Sequence, residues 1–318
     1  MLLTIMTVGG LIGLLVGGDL IVRGAVATAL RLGLSPLLVG LTIVALGTSA
    51  PEAVTSVEAA LAGAPALAVG NIIGSNIANV LLAIGLCALV RPMLIANASF
   101  RRDAWAVVGA TLIGTALLFI GFVDRAMGIL LLTGLVGYLV FAYCNERYGK
   151  KSALAQSLAE EGAAGADKPT PSLWRSLAIT FLGLAAILIG AHFLVEGAVG
   201  VARILGLSEA TIGATIVAIG TSLPEIVTSV AAALRGQSGV AIGNVIGSNL
   251  FNILGVLGAT AIAVPFSVPA EVLSIDIWIM MGATVILWFI ALQRPLVTRI
   301  EGGILFLCYC GYLALLLA

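Results

Sequence analysis

The sequence predicts an all-α polytopic membrane protein with ten transmembrane helices in two inverted five-helix repeats, and three observations lead there. Of its 318 residues 61% are hydrophobic and 9% charged, with a mean hydropathy of +1.19, whereas about a quarter of a soluble domain is charged. Ten apolar stretches are each long enough to cross a hydrocarbon layer about 30 Å thick, which takes roughly 20 helical residues. A stretch of 40 residues also occurs twice: GLTIVALGTSAPEAVTSVEAALAGAPALAVGNIIGSNIAN at 40–79 aligns with GATIVAIGTSLPEIVTSVAAALRGQSGVAIGNVIGSNLFN at 213–252, at one offset of 173, with 26 identities and no gap.

In chain order the apolar spans are 3–28, 36–62, 69–90, 104–122 and 126–145, then 174–202, 209–234, 239–263, 273–293 and 301–317. The first has no basic n-region, and its latter part, GGDLIVRGAV at 17–26, returns at the same offset as GAHFLVEGAV at 190–199. It therefore reads as a retained helix rather than a cleaved signal peptide. Between the fifth and sixth spans lies the one long polar stretch, with Arg147, Lys150, Lys151, Glu160, Glu161, Asp167, Lys168 and Pro171. It divides the chain into a first repeat at 1–145, a linker at 146–173 and a second repeat at 174–318. Five spans per repeat is an odd number, so the second repeat enters the membrane from the opposite face, related to the first by a pseudo-two-fold axis in the membrane plane.

Basic residues orient the bundle. With the N-terminus outside the cytoplasm, Arg31, Arg91, Arg101, Arg102, Arg147, Lys150, Lys151, Lys168, Arg175, Arg235, Arg294 and Arg299 face the cytoplasm, while Arg125 and Arg203 face out and Arg23 lies within a span. Twelve against two is a strong positive-inside bias. Both termini are expected outside and the linker inside, in the cell (inner) membrane.

The second span contains Pro51 and the seventh Pro224. Proline has no N–H, and its ring clashes with the preceding turn, so each helix bends or breaks, over about Ala45–Thr48 and Ala218–Thr221. A carbonyl freed within a bilayer must be buried in protein or line a polar cavity. Each break sits beside hydroxyls, Thr48 and Ser49 or Thr221 and Ser222, and just before a carboxylate, Glu52 or Glu225. The third and eighth spans open on GNIIGSNIAN and GNVIGSNLFN, whose helical spacing puts Asn71, Ser75 and Asn79 roughly on one face, and Asn244, Ser248 and Asn252 on another. Two carboxylates among neutral oxygens suit Ca²⁺. They would accept Na⁺ as well, and two glutamates balance one Ca²⁺ or two Na⁺. The motifs contain no Cys or His, which excludes zinc and copper.

At these residues the chain resembles the cation/calcium exchanger superfamily, and within it the sodium/calcium antiporter branch. GTSAPE (47–52), GNIIGSN (70–76), GTSLPE (220–225) and GNVIGSN (243–249) match its repeat signatures, and the ten-span plan extends the likeness over essentially the whole chain. The resemblance implies ion ligands at the Ala45 carbonyl, Thr48, Ser49, Glu52, Ser75 and Asn79, and at the Ala218 carbonyl, Thr221, Ser222, Glu225, Ser248 and Asn252. It also implies alternating access, in which the first and sixth helices slide across a fixed ligand-binding core. Some sodium/calcium members carry Asp where this chain has Asn252, so here the pocket holds two formal negative charges.

The expected function is exchange of Ca²⁺ for Na⁺ as transported ions, with no cofactor, no nucleic acid and no obligate protein partner. Exchange of Ca²⁺ for H⁺, or of other cations, is the alternative at the same site. An intramembrane hydrolase built on Ser49 or Ser222 lacks a neighbouring His or Lys base, and no enzymatic activity is expected. A passive channel is disfavoured by the inverted repeat. Among the remaining polar residues, Asp19 with Arg23 and His192 with Glu196 read as i,i+4 pairs or as controls of the sliding helices. Ser56, Ser229, Thr55 and Thr228 read as packing or backbone-bonding groups. Glu58, whose counterpart is Ala231, reads as a solvated or entry-path charge. Cys87, Cys144, Cys308 and Cys310 read as buried small hydrophobes.

Overall fold

The computed structural model describes residues 2–94, 98–148, 171–206, 218–293 and 296–317. Its helices are α1 (Leu2–Leu32), α2 (Pro36–Thr48), α3 (Ala50–Leu61), α4 (Pro65–Val90), α5 (Ala98–Phe119), α6 (Arg125–Tyr148), α7 (Leu173–Ile204), α8 (Ala218–Thr221), α9 (Leu223–Leu234), α10 (Ser238–Ala263), α11 (Asp276–Gln293) and α12 (Arg299–Leu317). Seven are long and apolar enough to cross a membrane, and an eighth span results if α2 and α3, bent by 42° at their junction, are counted as one. Length and composition therefore do not reproduce the expected ten. The seventh expected span, 209–234, is described only from α8 onward, and the ninth is the shorter α11. Most of the expected linker, like the 213–217 start of the second repeated stretch, lies outside the described residues.

Burial sorts the helices into layers. The most apolar windows of α4 and α10 are 83% buried, whereas those of α1 and α7 are 33% and 28% buried. An inner pair thus carries the GSN motifs, and a long outer pair flanks it. At 1.5 Å per residue, α1 and α7 are each over about 45 Å long, more than a hydrocarbon layer, so they must tilt or protrude. They pack along one another through a seam of small residues. A Cβ placed on Gly10 would stand 2.7 Å from the Gly190 carbonyl oxygen, and one on Gly190 2.8 Å from that of Gly10. Only glycine allows such an approach, as in other small-residue helix interfaces in membranes.

Two small antiparallel sheets join loops at the bundle ends. Here β1 (Met93–Leu94) pairs with β4 (Leu296–Val297), and β2 (Phe122–Val123) with β3 (Phe266–Ser267). By the repeat offset of 173, β1 corresponds to β3, and one further residue of offset relates β2 to β4.

A second duplicated feature emerges only in three dimensions. Tyr138 Oη and Arg102 Nε each donate to the fully buried Asp103 Oδ1 at 2.6 Å, tying α5 to α6. At the equivalent place Asp276 of α11 lies beside Tyr312 of α12. Tyr138→Phe removes a hydrogen bond to a buried carboxylate, worth about 1.5–3 kcal/mol. It is expected to lower the melting temperature in detergent, and an unchanged transition would show the bond to be energetically idle.

The cysteines differ in part from expectation. Cys87 is buried and Cys144 half-buried, but Cys308 and Cys310 are exposed on α12, because that helix lies at the periphery, where its outward positions meet no protein.

Candidate ion-binding site

Where the two prolines interrupt their helices, the chain is held by hydroxyl residues. The first break is at Ser49 (φ −83°, ψ 4°), between α2 and α3, and the second at Ser222 (φ −88°, ψ 2°), between α8 and α9. Each proline then occupies the first turn of the following helix, where its missing N–H costs nothing. The break lies one residue beyond the expected Ala45–Thr48 because Ser49 N–H still reaches the Ala45 carbonyl at 2.9 Å. Nor is that carbonyl free, since Thr48 Oγ1 also approaches it at 3.4 Å. Pro51 deprives Gly47, four residues back, rather than Ala45, of its usual donor. In the second repeat Ser222 N–H turns instead to Ile219, at 3.1 Å, within the short helix that begins at Ala218.

The side chains beyond the breaks cross between the repeats. Ser49 Oγ donates to Glu225 Oε1 at 3.0 Å, and Ser222 Oγ lies 3.4 Å from Glu52 Oε1 and 3.1 Å from Ser75 Oγ. Thr48 Oγ1 donates to Asn244 Oδ1 at 3.1 Å, and Thr221 Oγ1 to Asn71 Oδ1 at 3.3 Å. The Ser–Glu and Thr–Asn contacts of one repeat each have a counterpart from the other, so the four motifs form one cluster rather than two. Thr48, Ser49, Glu52, Ser75, Asn79, Ser222, Glu225, Ser248 and Asn252 are all buried, and Thr221 is half-buried. Ser75 Oγ meets Ser222 Oγ, whereas Ser248 Oγ has no hydrogen-bond partner among the described residues.

The cluster is electrostatically incomplete. Glu52 Oε2, Glu225 Oε2 and both polar atoms of Asn79 and Asn252 are buried without a hydrogen-bond partner among the described residues. Buried polar groups are ordinarily satisfied, and the two carboxyls repel one another across the site. A cation between them would supply what these groups lack. The donor set is oxygen throughout, and among the described residues no group of three His, Cys, Asp or Glu side chains gathers anywhere.

Asn71 and Ser75 lie in the α-helical part of α4, and Asn79 lies just past it. Asn79 sits in a π-helical segment, Ala78–Ala83, and Asn252 in its counterpart, Phe251–Val256, with the Ile84 and Leu257 N–H groups reaching back five residues to their carbonyls. A π turn inserts an extra residue and re-aims the side chains around it, which is why such turns recur at functional sites.

Asn71 and Asn244, which the sequence puts on the right faces without a task, are central to the cluster. Asn71 Nδ2 donates to the Glu52 carbonyl at 3.3 Å and to Ser56 Oγ at 3.0 Å, and Asn244 Nδ2 to the Glu225 carbonyl at 3.2 Å and Ser229 Oγ at 3.0 Å. Their duplication in both GN motifs was the available signal. Ser56 and Ser229 thus serve packing and bonding within the scaffold.

Two crevices flank the site. One of about 460 Å³ is lined by Pro51, Thr55, His192, Val195, Thr221 and Pro224, and so reaches a candidate ligand. The other, about 500 Å³, lies between α1 and α9, with Asp19 and Arg235 among its walls and no candidate ligand. Asp19 pairs with Arg23 at 2.8 Å, one turn away, and also with Arg235 of α9, a partner that helical spacing does not reveal. His192 and Glu196 approach to 3.4 Å. Glu58 is exposed and away from the cluster.

Comparison with known proteins agrees with this geometry. The family model described as sodium/calcium exchanger protein matches residues 2–144 and 175–318. The chain is 31% identical over 341 residues to the sodium/calcium exchanger MaX1 of Methanosarcina acetivorans, covering 96% of each. It is 35% identical over 298 residues to the inner membrane protein YrbG of Escherichia coli, covering 92% of this chain and 90% of YrbG. A solved structure of the sodium-calcium exchanger NCX_Mj superposes with a TM-score of 0.84 at 30% identity, covering 98% of both chains.

Proposed function

This chain belongs to the sodium/calcium exchanger protein family, and on that premise we propose that it exchanges Ca²⁺ for Na⁺ across the cell (inner) membrane, binding both at the cluster between its repeats. The observation that carries the reading is the crossed pair of contacts, Ser49 to Glu225 and Ser222 to Glu52, around buried carboxylate and amide oxygens that have no partner. The ligands are the Ala45 and Ala218 carbonyls, Thr48, Ser49, Glu52, Ser75, Asn79, Thr221, Ser222, Glu225, Ser248 and Asn252. Two carboxylates balance one Ca²⁺ or two Na⁺. Ions that compete for one site, which reorients only when filled, have coupled fluxes.

Strand pairing supports an inverted ten-span architecture, with a repeat on either side of the 146–173 linker. The 22-residue α5 separates β1 from β2 by about 33 Å, so these two strands occupy opposite ends of the bundle. Paired strands share an end. Since β2 pairs with β3, β3 lies at the opposite end from its repeat counterpart β1. Inversion relates equivalent loops in this way, and simple repetition does not. With both termini outside, the crevice that reaches Thr221 opens outward. The inner crevice ends short of the ligands, and there the Asp19–Arg235 pair joins α1 to α9. This supports alternating access, seen here in an outward-facing state, with α1 and α7 as the moving pair.

In everted membrane vesicles, labelled Ca²⁺ uptake is expected to follow an imposed Na⁺ gradient. Uptake driven by a pH gradient in the absence of Na⁺ would replace this reading with Ca²⁺/H⁺ exchange at the same residues.

A further inference from the structure

We propose that Asn71 and Asn244 are positioning residues that orient the Thr221 and Thr48 hydroxyls so that lone pairs, rather than protons, face the transported cation; this role rests on the cation-exchange reading above. An asparagine amide can lie in either of two orientations, with carbonyl and amino groups interchanged, and its surroundings decide between them. Asn244 Nδ2 stands 3.2 Å from the Glu225 carbonyl oxygen and Asn71 Nδ2 3.3 Å from that of Glu52. A backbone carbonyl only accepts. Reversing either amide would set oxygen against oxygen, so the amino group must face the glutamate backbone. Around Asn71 a second contact imposes the same orientation. The Ser56 hydroxyl gives its proton to the Ala68 carbonyl at 3.3 Å, and Ser56 Oγ is left to accept from Asn71 Nδ2 at 3.0 Å.

With the amino group so placed, the amide oxygen faces the other repeat. It meets Thr48 Oγ1 at 3.1 Å from Asn244 and Thr221 Oγ1 at 3.3 Å from Asn71. A threonine hydroxyl has one proton and two lone pairs. Thr48 Oγ1 has the Ala45 carbonyl at 3.4 Å and the amide oxygen at 3.1 Å, so the amide is the nearer acceptor; donated there, the proton is directed at the asparagine, and the lone pairs are left for the pocket. A proton turned inward would repel a cation, whereas the oriented hydroxyl acts on it much as a carbonyl does. The same amide holds the backbone of the glutamate in its own repeat, so each asparagine couples one repeat's carboxylate to the other repeat's hydroxyl. Packing alone would account for an asparagine bonded within its own repeat. It does not account for the same cross-repeat acceptor, at the same position, in both.

Half-saturation and maximal rate of Na⁺-driven Ca²⁺ uptake are measured in vesicles for Asn244→Leu, Thr48→Val, the double variant and Thr48→Ser, with melting in detergent as a check on folding. Each of Asn244→Leu and Thr48→Val is expected to raise the Ca²⁺ half-saturation concentration about tenfold, as for loss of one hydrogen-bonded ligand. The double variant should do no more than the larger single, since Asn244 acts through Thr48, and Thr48→Ser, which keeps the hydroxyl, should raise half-saturation less than Thr48→Val. Effects that multiply in the double variant overturn the role, as does an Asn244→Leu protein that loses maximal rate with half-saturation unchanged. If Asn244→Leu does not fold, the same cycle on Asn71 and Thr221 decides by the same criteria. Calcium uptake by the unsubstituted protein with a multiplicative cycle sinks only this role. No calcium uptake by the unsubstituted protein sinks the exchange reading and the role together.

Discussion

Glu52→Gln and Glu225→Gln are each expected to cut Na⁺-driven Ca²⁺ uptake by at least about 100-fold, equivalent to about 2.7 kcal/mol, while leaving the protein folded. Glutamine keeps the volume of the side chain and an oxygen able to accept from Ser222 or Ser49, so the crossed contacts at 3.4 and 3.0 Å survive. What disappears is one of the two formal charges in a buried pocket whose central positions, Asn79 and Asn252, are neutral. A divalent ion would then face a single carboxylate in a setting where an uncompensated charge is costly. The variants should melt at or above the unsubstituted temperature in ion-free buffer, because one of two neighbouring buried carboxyls is removed. Uptake at the unsubstituted level in either variant would refute the assignment of these glutamates as ligands.

The second large effect concerns folding. A Cβ on Gly243 would lie 2.2 Å from the Leu37 carbonyl oxygen and 3.0 Å from the Leu41 nitrogen, both backbone atoms of α2. No rotamer change relieves such a contact, so Gly243→Ala must push α10 away from α2. Overpacking of this kind costs about 1–3 kcal/mol, and occasionally more. It also displaces Asn244, the next residue, from its 3.1 Å bond to Thr48 on the helix being pushed. A marked fall in melting temperature and loss of Ca²⁺ uptake are expected. Gly137→Ala serves as the control, since among the described residues nothing lies within 4 Å of a Cβ there. Similar melting of the two variants would show that the close approach of α2 and α10 is unimportant.

Much of the site was legible in the sequence because a bilayer makes ionisable and polar groups expensive. Glu52 and Glu225 stand within apolar runs, beside proline and hydroxyl residues and far from any basic residue of their own spans, so a ligand role suits them better than a structural one. Duplication brought Ser75, Ser248, Asn79 and Asn252 with them. Less legible was anything that depends on which atoms meet. The break falls at Ser49 because the Ser49 N–H keeps its bond to Ala45. A π turn begins at Ala78 and takes in Asn79. Asp103 reads in the sequence as one more charge near a span end, and only packing shows it buried against Tyr138 and Arg102. The span count illustrates the same limit, since hydropathy counts apolar residues and cannot tell a straight helix from one broken at Ser49 or Ser222.

By itself the sequence determined the membrane class, the two repeats, the oxygen-only chemistry of the site and its charge of two carboxylates, since composition and duplication are properties of residue types. Only the tertiary structure decided that each repeat completes the other. Ser49 bonds to Glu225 rather than to Glu52, three residues away, and Thr48 bonds to Asn244. The physical reason is that neighbours along a helix share a local environment whatever the fold. Contacts between the two repeats instead depend on how closely two helix pairs approach, and here backbone atoms at Gly243 and along the Gly10–Gly190 seam set that distance.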